Sequence, residues 1–197
     1  MALYTPKYQP NGKEVAVVTT SQGVIRVQLA GNDAPIHVGN FVELAKDGFY
    51  DNTKFHRYVP GFVIQGGDPE SKKYSSDEVV RVSGGMFPRL GMGGPGYSIK
   101  GEFASNGFKN PLKHKRGVIS MARSMRPDSA GSQFFIMHQD APHLDGQYAA
   151  FGRVVEGMDI VDEIASVPTD FRDRPKIDMV IKSVTLADEP VEEPEKI

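Results

Sequence analysis

The sequence of 197 residues predicts one antiparallel β-barrel or β-sandwich domain with two isolated helices. Three observations support this fold class. Short segments with strand-like composition recur along the chain, separated by loops rich in glycine or proline. Only two segments show the apolar periodicity of a helix. These helices do not alternate with the strands, which argues against parallel βαβ units.

The first part of the chain predicts an arm, a hairpin and a helix. Residues 1–13 are polar and contain two prolines, which is typical of an extended arm. The segments EVAVVTT (14–20) and GVIRVQLA (23–30) have the composition of paired strands. Segment 33–51 predicts a helix with a proline at its start, one apolar face and a glycine near its end: Pro35, Val38, Phe41, Val42, Ala45 and Gly48.

The rest of the chain predicts mainly short strands, at 53–59, 62–65, 97–100, 117–121 and 133–137. A second short helix is predicted over 157–166, where Ile160, Val161 and Ile164 share a face. A closing strand is predicted over 178–187. The acidic segment 188–197 contains prolines and predicts a disordered tail.

The composition excludes several classes of function. The formal net charge is −2, which does not support binding to nucleic acid or to a membrane surface. The chain has no cysteine, so thiol catalysis, cysteine-ligated zinc and disulfides are excluded. The N-terminus lacks the apolar stretch of a signal peptide, and no apolar run reaches the ~20 residues that span a bilayer. A cytoplasmic location is expected.

Two short motifs suggest chemistry that their context does not favour. GMGGPG (91–96) matches a dinucleotide-binding pattern, but no strand precedes it and a strand-like segment follows where a helix is required. HQDAPHLD offers four candidate metal ligands, His138, Asp140, His143 and Asp145. Because Pro142 prevents a helical pair of ligands, we expect no metal there. No G-x-S-x-G motif is present, so a serine hydrolase is not expected.

The segment FHRYVPGFVIQGGD (55–68) presents a problem of polarity. Two-residue alternation would place Arg57 on the same face as Phe55 and Val59, where an unpaired charge is unfavourable. Either a structural partner or a ligand must compensate for it. In SQFFIM, alternation places Gln133, Phe135 and Met137 on one face, and Phe134 with Ile136 on the other. One face would pack into a core and the other would line a concave surface.

Three long segments, in order, resemble the cyclophilin-type peptidyl-prolyl isomerases: FHRYVPGFVIQGGD, GMGGPGYSIKGEF and SAGSQFFI…HLDGQYAAFGRV. The resemblance extends from about residue 14 to 187. It implies a closed eight-stranded antiparallel barrel with two helices as caps. It also implies acceleration of rotation about Xaa-Pro peptide bonds, assistance to protein folding, and no cofactor or metal. The alternative is a module that binds proline motifs without turnover.

The resemblance also implies a role for each site residue. Arg57 would be catalytic, with Gln65 and Gln133 orienting it and the substrate backbone. The proline ring would be held by Phe62, Val63, Phe135 and Leu144. Residues preceding the proline would bind Ala122 and the backbone of Arg123, while His56 and Tyr148 would edge the pocket. The expected partners are Xaa-Pro segments of peptides and unfolded proteins, and a monomer is expected.

The chain departs from the best-known family members in three places. His143 stands where many have tryptophan, a position associated with cyclosporin binding, so weak cyclosporin binding is expected. Tyr148 stands where many have histidine. Between Asp68 and Gly91, 22 residues replace a much shorter link, giving an insertion at 69–90. Its EVVRV segment has the composition of a short strand, and Lys72, Lys73, Arg81 and Arg89 are available to bind acidic side chains.

Overall fold

The structure is a computed structural model of the chain, and it describes residues 2–75 and 90–187. The strands are β1 (Val15–Thr20), β2 (Gly23–Leu29), β3 (Thr53–Lys54), β4 (Arg57–Val59), β5 (Val63–Gly66), β6 (Val118–Met121), β7 (Phe134–Met137), β8 (Ala150–Glu156) and β9 (Val180–Leu186). The helices are α1 (Pro35–Lys46) and α2 (Met158–Ile164). The predicted class, mostly β with two helices, is confirmed. The predicted tail at 188–197 lies outside the described residues.

The nine strands form one curled antiparallel sheet in the order β3-β9-β1-β2-β8-β6-β7-β5-β4. β3 and β4 lie at opposite ends of this order, although only Phe55 and His56 separate them along the chain. The amide of Phe55 donates to the carbonyl of Met179, beside β9, at 2.9 Å. The amide of His56 donates to the carbonyl of Gln65, in β5, at 3.0 Å. Two residues of backbone therefore link the two ends of the sheet.

The division of the predicted strand 53–59 explains why nine strands are found where eight were implied. It also changes which face each side chain occupies. Phe55 and Tyr58 both belong to the main core, although they are three residues apart. Uninterrupted alternation would place them on opposite faces. Arg57 was predicted to share a face with Phe55, and this is wrong: Arg57 lies half-buried on the outer face.

The core inside the sheet is built around aromatic side chains. One of them, Phe41, comes from α1, and this helix covers the core. The ring of Phe41 lies 5.2 Å from that of Tyr50, 5.7 Å from Phe134 and 5.4 Å from Phe151. α1 packs against β9, and α2 packs against β2. α1 ends at Lys46, earlier than the predicted helix, and Gly48 follows with a positive φ of 69°. Glycine adopts that conformation without strain, so Gly48 suits the helix end.

Two strand predictions differ from the structure. The segment predicted as a strand at 97–100 makes only isolated bridges, Leu3 with Ser98 and Ile99 with Ala130. β8 is absent from the predicted strands, and Gly152 lies within it. A side chain at Gly152 would bring its Cβ to 2.6 Å from the carbonyl oxygen of Gln28 in β2. The glycine therefore permits close approach of the neighbouring strand, which the local sequence does not reveal.

The N-terminal arm lies along α1 and is held by one carboxylate. Glu43 accepts hydrogen bonds from the hydroxyl of Tyr4 at 2.8 Å and from the amides of Lys7 and Tyr8 at 2.7 and 3.0 Å. The extended arm is thus part of the folded domain. Neither helix in the described residues has the length and apolar character needed to cross a membrane.

His56 occupies the strand break and is buried there. It is 8% exposed, and neither ring nitrogen has a hydrogen-bond partner among the residues that the structure describes. Burial lowers its pKa to about 4, and the nearby charge of Asp68 only partly opposes this effect. An unfolded histidine has a pKa of about 6.5, so the unfolded chain binds a proton at this site before the folded chain does.

This difference predicts loss of stability in acid. The contribution of His56 is complete above pH 6.5 and is lost as the pH falls toward 4, by roughly 3 kcal/mol at about 1.36 kcal/mol per pKa unit. In His56→Leu this part of the pH dependence should disappear. Urea unfolding of both proteins between pH 7.5 and pH 4 measures it, with His143→Leu at an exposed position as the control. Parallel stability curves for the protein and His56→Leu would contradict this account.

Candidate active site

Strands β5 and β7 present a second apolar layer on the outside of the barrel. Their register pairs Val63 with Met137 and Gln65 with Phe135. Val63, Phe135 and Met137 form an outer cluster with Ala141 and Leu144. Phe134 and Ile136, the alternate residues of β7, belong to the main core instead. The prediction that alternate residues of this strand lie on opposite faces, one in the core and one on an outer surface, is therefore confirmed.

A cavity of about 180 Å³ opens on this outer cluster. We call it the small pocket, and its lining consists of Arg57, Phe62, Val63, Gln65, Ala122, Arg123, Phe135, Leu144 and Tyr148. Its floor is apolar: Val63, Phe135 and Leu144 are each less than a tenth exposed. The Tyr148 ring meets Phe135 edge to face at 5.8 Å. Residues from four separate segments thus converge on one pocket that carries two guanidiniums, those of Arg57 and Arg123, beside apolar rings.

A chain of side-chain amides connects Arg57 to the opposite side of this site. Arg57 Nη1 donates to Gln65 Oε1 at 3.3 Å, and Gln65 Nε2 donates to Gln133 Oε1 at 3.0 Å. Gln133 Nε2 donates to the carbonyl of Gly93 at 2.9 Å. A guanidinium can only donate and a carbonyl can only accept, so the two ends determine the orientation of both amides. This amide chain holds Arg57 without neutralising it.

No carboxylate of the described residues lies within ion-pair distance of Arg57. The compensation anticipated for this charge is therefore not a salt bridge. Arg57 lies at the surface of a groove, partly open to water, and Gln65 satisfies one of its donors. Its remaining donors stay available to a ligand in the small pocket.

A larger cavity of about 530 Å³ continues from the small pocket. Its walls are the loops 91–98, 122–126 and 129–133. Gln65, Ala122 and Arg123 line both cavities, so the two form one groove. The larger cavity therefore offers room for further residues of a chain that occupies the small pocket.

The side chain of Arg123 has a structural role that was not anticipated, since only its backbone was assigned to the site. Its guanidinium lies 4.5 Å from the ring of Tyr148 and 4.9 Å from that of Phe103. It donates to the carbonyls of Ser124 at 2.9 Å and Gln147 at 2.5 Å. These contacts hold Tyr148 against the small pocket. The order of residues along the chain gives no sign of them.

His114 is a second residue that the sequence did not indicate. It is buried behind Phe135, with ring centroids 6.2 Å apart. Its Nδ1 donates to Asp145 at 3.0 Å, which leaves Nε2 to accept from the hydroxyl of Ser120 at 2.8 Å. Burial lowers the pKa of His114, and the hydrogen bond to Asp145 raises it less. Because Ser120 is fully buried, this Asp–His–Ser arrangement supports Phe135 and offers no accessible nucleophile.

Two of the predicted pocket histidines lie outside the small pocket. His143 is exposed and stacks on Phe62, with ring centroids 5.7 Å apart. His56 was expected to edge the pocket but lines a different cavity of about 30 Å³ with Tyr74, Leu90 and Arg174. Gln133 borders the groove in the larger cavity and reaches the small pocket through Gln65.

The described residues contain no group of three side chains that could hold a metal ion. The candidate ligands are engaged elsewhere: His138 Nε2 contacts Asp162 at 3.2 Å, and Asp145 binds His114. The GMGGPG segment forms an irregular loop with no helix after it. This loop supplies a wall of the larger cavity instead of a nucleotide site.

Comparison with known proteins identifies relatives over nearly the whole chain. The family model for the cyclophilin type peptidyl-prolyl cis-trans isomerase/CLD matches residues 15–186. A peptidyl-prolyl cis-trans isomerase of Helicobacter pylori is 45% identical over 76% of this chain and 78% of its own length. One of Synechococcus elongatus is 39% identical over 86% of this chain and 96% of its own length.

Longer relatives and solved structures agree with this result. A peptidyl-prolyl cis-trans isomerase-like 2 protein of Rhizopus delemar is 39% identical over 92% of this chain, which spans 30% of that protein's length. The structure of a cyclophilin type isomerase of Cryptosporidium parvum, in the presence of the dipeptide Ala-Pro, superposes with a TM-score of 0.74. It is 29% identical and covers 89% of this chain and 99% of its own.

A cyclophilin of Hirschia baltica has a TM-score of 0.67 over 94% of this chain and 78% of its own, and at 22% identity it supports the fold alone. The family-model match from residue 15 to 186, together with these relatives, shows that this chain belongs to the cyclophilin-type peptidyl-prolyl cis-trans isomerase family.

Proposed function

We propose that this chain is an active peptidyl-prolyl cis-trans isomerase whose substrates are Xaa-Pro segments of peptides and unfolded proteins. The observation that supports this most directly is the placement of Arg57. Its guanidinium has no carboxylate partner in the described residues, is held by a directional amide chain and lies beside an apolar cavity. The Cryptosporidium cyclophilin was studied in the presence of Ala-Pro, a proline-containing dipeptide.

The chemistry requires a donor that strengthens as the peptide bond twists. Rotation about a peptide bond has a barrier of about 18–20 kcal/mol because the nitrogen lone pair is shared with the carbonyl. In the twisted transition state this sharing is lost and the proline nitrogen becomes a localised acceptor. A hydrogen bond from Arg57 to that nitrogen is stronger in the transition state than in the planar ground state, which lowers the barrier. Arginine remains charged at any working pH, so no protonation step is needed.

The neighbouring residues bind and orient the substrate. Phe62, Val63, Phe135 and Leu144 hold the proline ring in the small pocket, with Tyr148 at its edge. Gln65 and Gln133 orient Arg57 and the substrate backbone. Ala122 and the backbone of Arg123 bind the residues that precede the proline. Assistance to protein folding follows, since uncatalysed isomerisation takes tens of seconds or longer and can limit folding.

NMR exchange on a short Xaa-Pro peptide tests whether the protein turns over its ligand. Catalytic amounts of protein should produce cis–trans exchange far faster than the uncatalysed reaction. Chemical-shift changes at the groove without accelerated exchange would identify a proline-binding module and overturn the proposal.

Arg57→Ala should lower turnover by about 10²–10³-fold, by analogy with the loss of one transition-state donor in an oxyanion site. The fold should survive, because Arg57 lies on the groove surface and makes no ion pair with a described residue. Peptide exchange and a thermal unfolding curve measure the two effects. Arg153→Ala, at an exposed arginine that lines neither cavity, is the control. Turnover within threefold of the unmodified protein, with an intact thermal transition, would remove Arg57 from this role.

His143→Trp should tighten inhibition by cyclosporin, which we expect to bind the unmodified protein weakly. The exposed imidazole of His143 offers less apolar area beside Phe62 than an indole would. Inhibition constants for the two forms, each measured against its own uninhibited turnover, give the comparison. Equal constants would show that His143 does not determine cyclosporin affinity.

The described ends of the insertion are built into the fold beside the groove. Ser71 is buried, and its Oγ accepts a hydrogen bond from the amide of Lys54 in β3 at 2.9 Å. The Asp68 carboxylate accepts from the amide of Glu70 at 2.8 Å and from the amide of Gly91. Asp68 thus holds both ends of the insertion. The predicted strand EVVRV, with Arg81 and Arg89, lies in 76–89, outside the described residues.

We propose that the insertion influences substrate preference at the residues that precede the substrate proline. Replacing only 76–89 by a short glycine linker keeps Ser71 and Asp68 in place. The shortened protein should turn over a four-residue peptide as before but change its preference among longer substrates. A panel of long Xaa-Pro peptides and an unfolded protein substrate provides the measurement. Unchanged preference across this panel would show that the insertion has no role in substrate choice.

A further inference from the structure

We propose that the groove selects acidic substrates, and that Arg126 binds a carboxylate on the residues preceding the proline. This inference rests on the proposed isomerase function and adds the chemical class of its substrate. It comes from the distribution of charge along the groove.

The lining of the groove contains cations and no anions in the part of the chain that the structure describes. Arg123 and Arg126 line the larger cavity, and Arg57 with Arg123 lines the small pocket. Neither lining includes an aspartate or a glutamate. The whole chain has a formal net charge of −2, so the excess of positive charge is a local property of this groove. A concave surface with charges of one sign attracts the opposite charge more strongly than a flat surface does.

None of these three arginines forms an ion pair with a described residue. The nearby carboxylate of Asp128 is directed elsewhere, since it accepts hydrogen bonds from the amide of Gly101 at 2.9 Å and from Asn106 at 2.8 Å. The charge of the groove is therefore not cancelled by its own walls.

Arg126 is the arginine best placed to meet a substrate side chain. Arg57 is held toward the small pocket by Gln65, and Arg123 is engaged by backbone carbonyls and by Tyr148. Arg126 is exposed, and its guanidinium makes no hydrogen bond to a described residue. It lies in the loop that follows Ala122, the residue assigned to the substrate segment before the proline.

The lysines at the start of the insertion, suggested for the same role, are less well placed. Lys72 and Lys73 line neither cavity, and Lys73 Nζ binds Glu70 at 2.8 Å. Among the described residues, recognition of an acidic side chain therefore falls to Arg126.

A matched series of peptides tests the inference. The peptides are identical except for Glu, Gln or Lys at the second or third position before a single proline, and kcat/KM is measured for each by NMR exchange. At low salt, the best Glu peptide should exceed its Gln counterpart by roughly two- to fivefold, the range expected of one exposed ion pair. The Lys peptide should fall below the Gln peptide. Because salt screens exposed charges, the preference should shrink toward unity in about 0.5 M salt.

Variants then assign the preference to one residue. Arg126→Gln should bring the Glu-to-Gln ratio close to one, and Arg126→Glu should reverse the order in favour of the Lys peptide. Arg153→Gln removes an exposed arginine of β8 that lines neither cavity, and should leave the ratio unchanged. An equal fall in the ratio for Arg153→Gln would assign the effect to net charge and overturn the role of Arg126.

The outcome separates this inference from the proposed function. Equal turnover of the Glu and Gln peptides by the unmodified protein would overturn the acidic preference and leave the isomerase function intact. If no peptide were turned over, the isomerase function would fail. The selectivity would then be measured as a ratio of dissociation constants from NMR titration, where equal constants would overturn the inference as well.

Discussion

The break between β3 and β4 is the feature on which both the fold and the site depend. At this point the backbone passes from one end of the sheet to the other, with Phe55 bonded beside β9 and His56 bonded to β5. The same two residues change the alternation of side chains, so that Phe55 and Tyr58 both enter the core and Arg57 faces outward. The same break in the strand therefore links the ends of the sheet and places the Arg57 guanidinium on the outer face. Its energetic cost is the buried imidazole of His56, which has no hydrogen-bond partner in the described part of the chain.

The site also depends on a chain of hydrogen bonds between side-chain amides. The donor at one end, Arg57, and the acceptor at the other, the carbonyl of Gly93, determine the direction of each bond. The amide chain from Arg57 to the carbonyl of Gly93 links β4, β5, the residue before β7 and the loop 91–96. Asp68 attaches the same loop to the end of β5 through the amide of Gly91. The Arg57 side chain and the wall of the larger cavity are therefore held by a shared network.

The sheet carries two apolar layers, one in the core and one on the outer face beside the groove. Phe134 and Ile136 fill the core, while Phe135 and Met137 on the same strand build the outer cluster. His114 is buried behind Phe135 and hydrogen-bonded to Asp145 and Ser120, and this arrangement exposes no nucleophile. Arg123 stacks on Tyr148 and closes the other side. The floor of the small pocket is apolar, and arginines line the groove beside it.

The sequence by itself determined the class of fold, the two-sided pattern of β7 and, through three ordered motifs, most of the residues that line the small pocket. These features depend on local periodicity and on residue identity, and both are present in the sequence before the chain folds. Tertiary structure alone decided the orientation of Arg57 and His56. A break in a strand changes which face of the sheet the following side chains occupy, and two-residue alternation in the sequence does not show where a strand breaks. Tertiary structure also decided the strand at Gly152, where the need for a small residue arises from β2. The partners of His114 and Arg123, and the absence of carboxylates among the described groove residues, depend on segments far apart in sequence meeting at one surface.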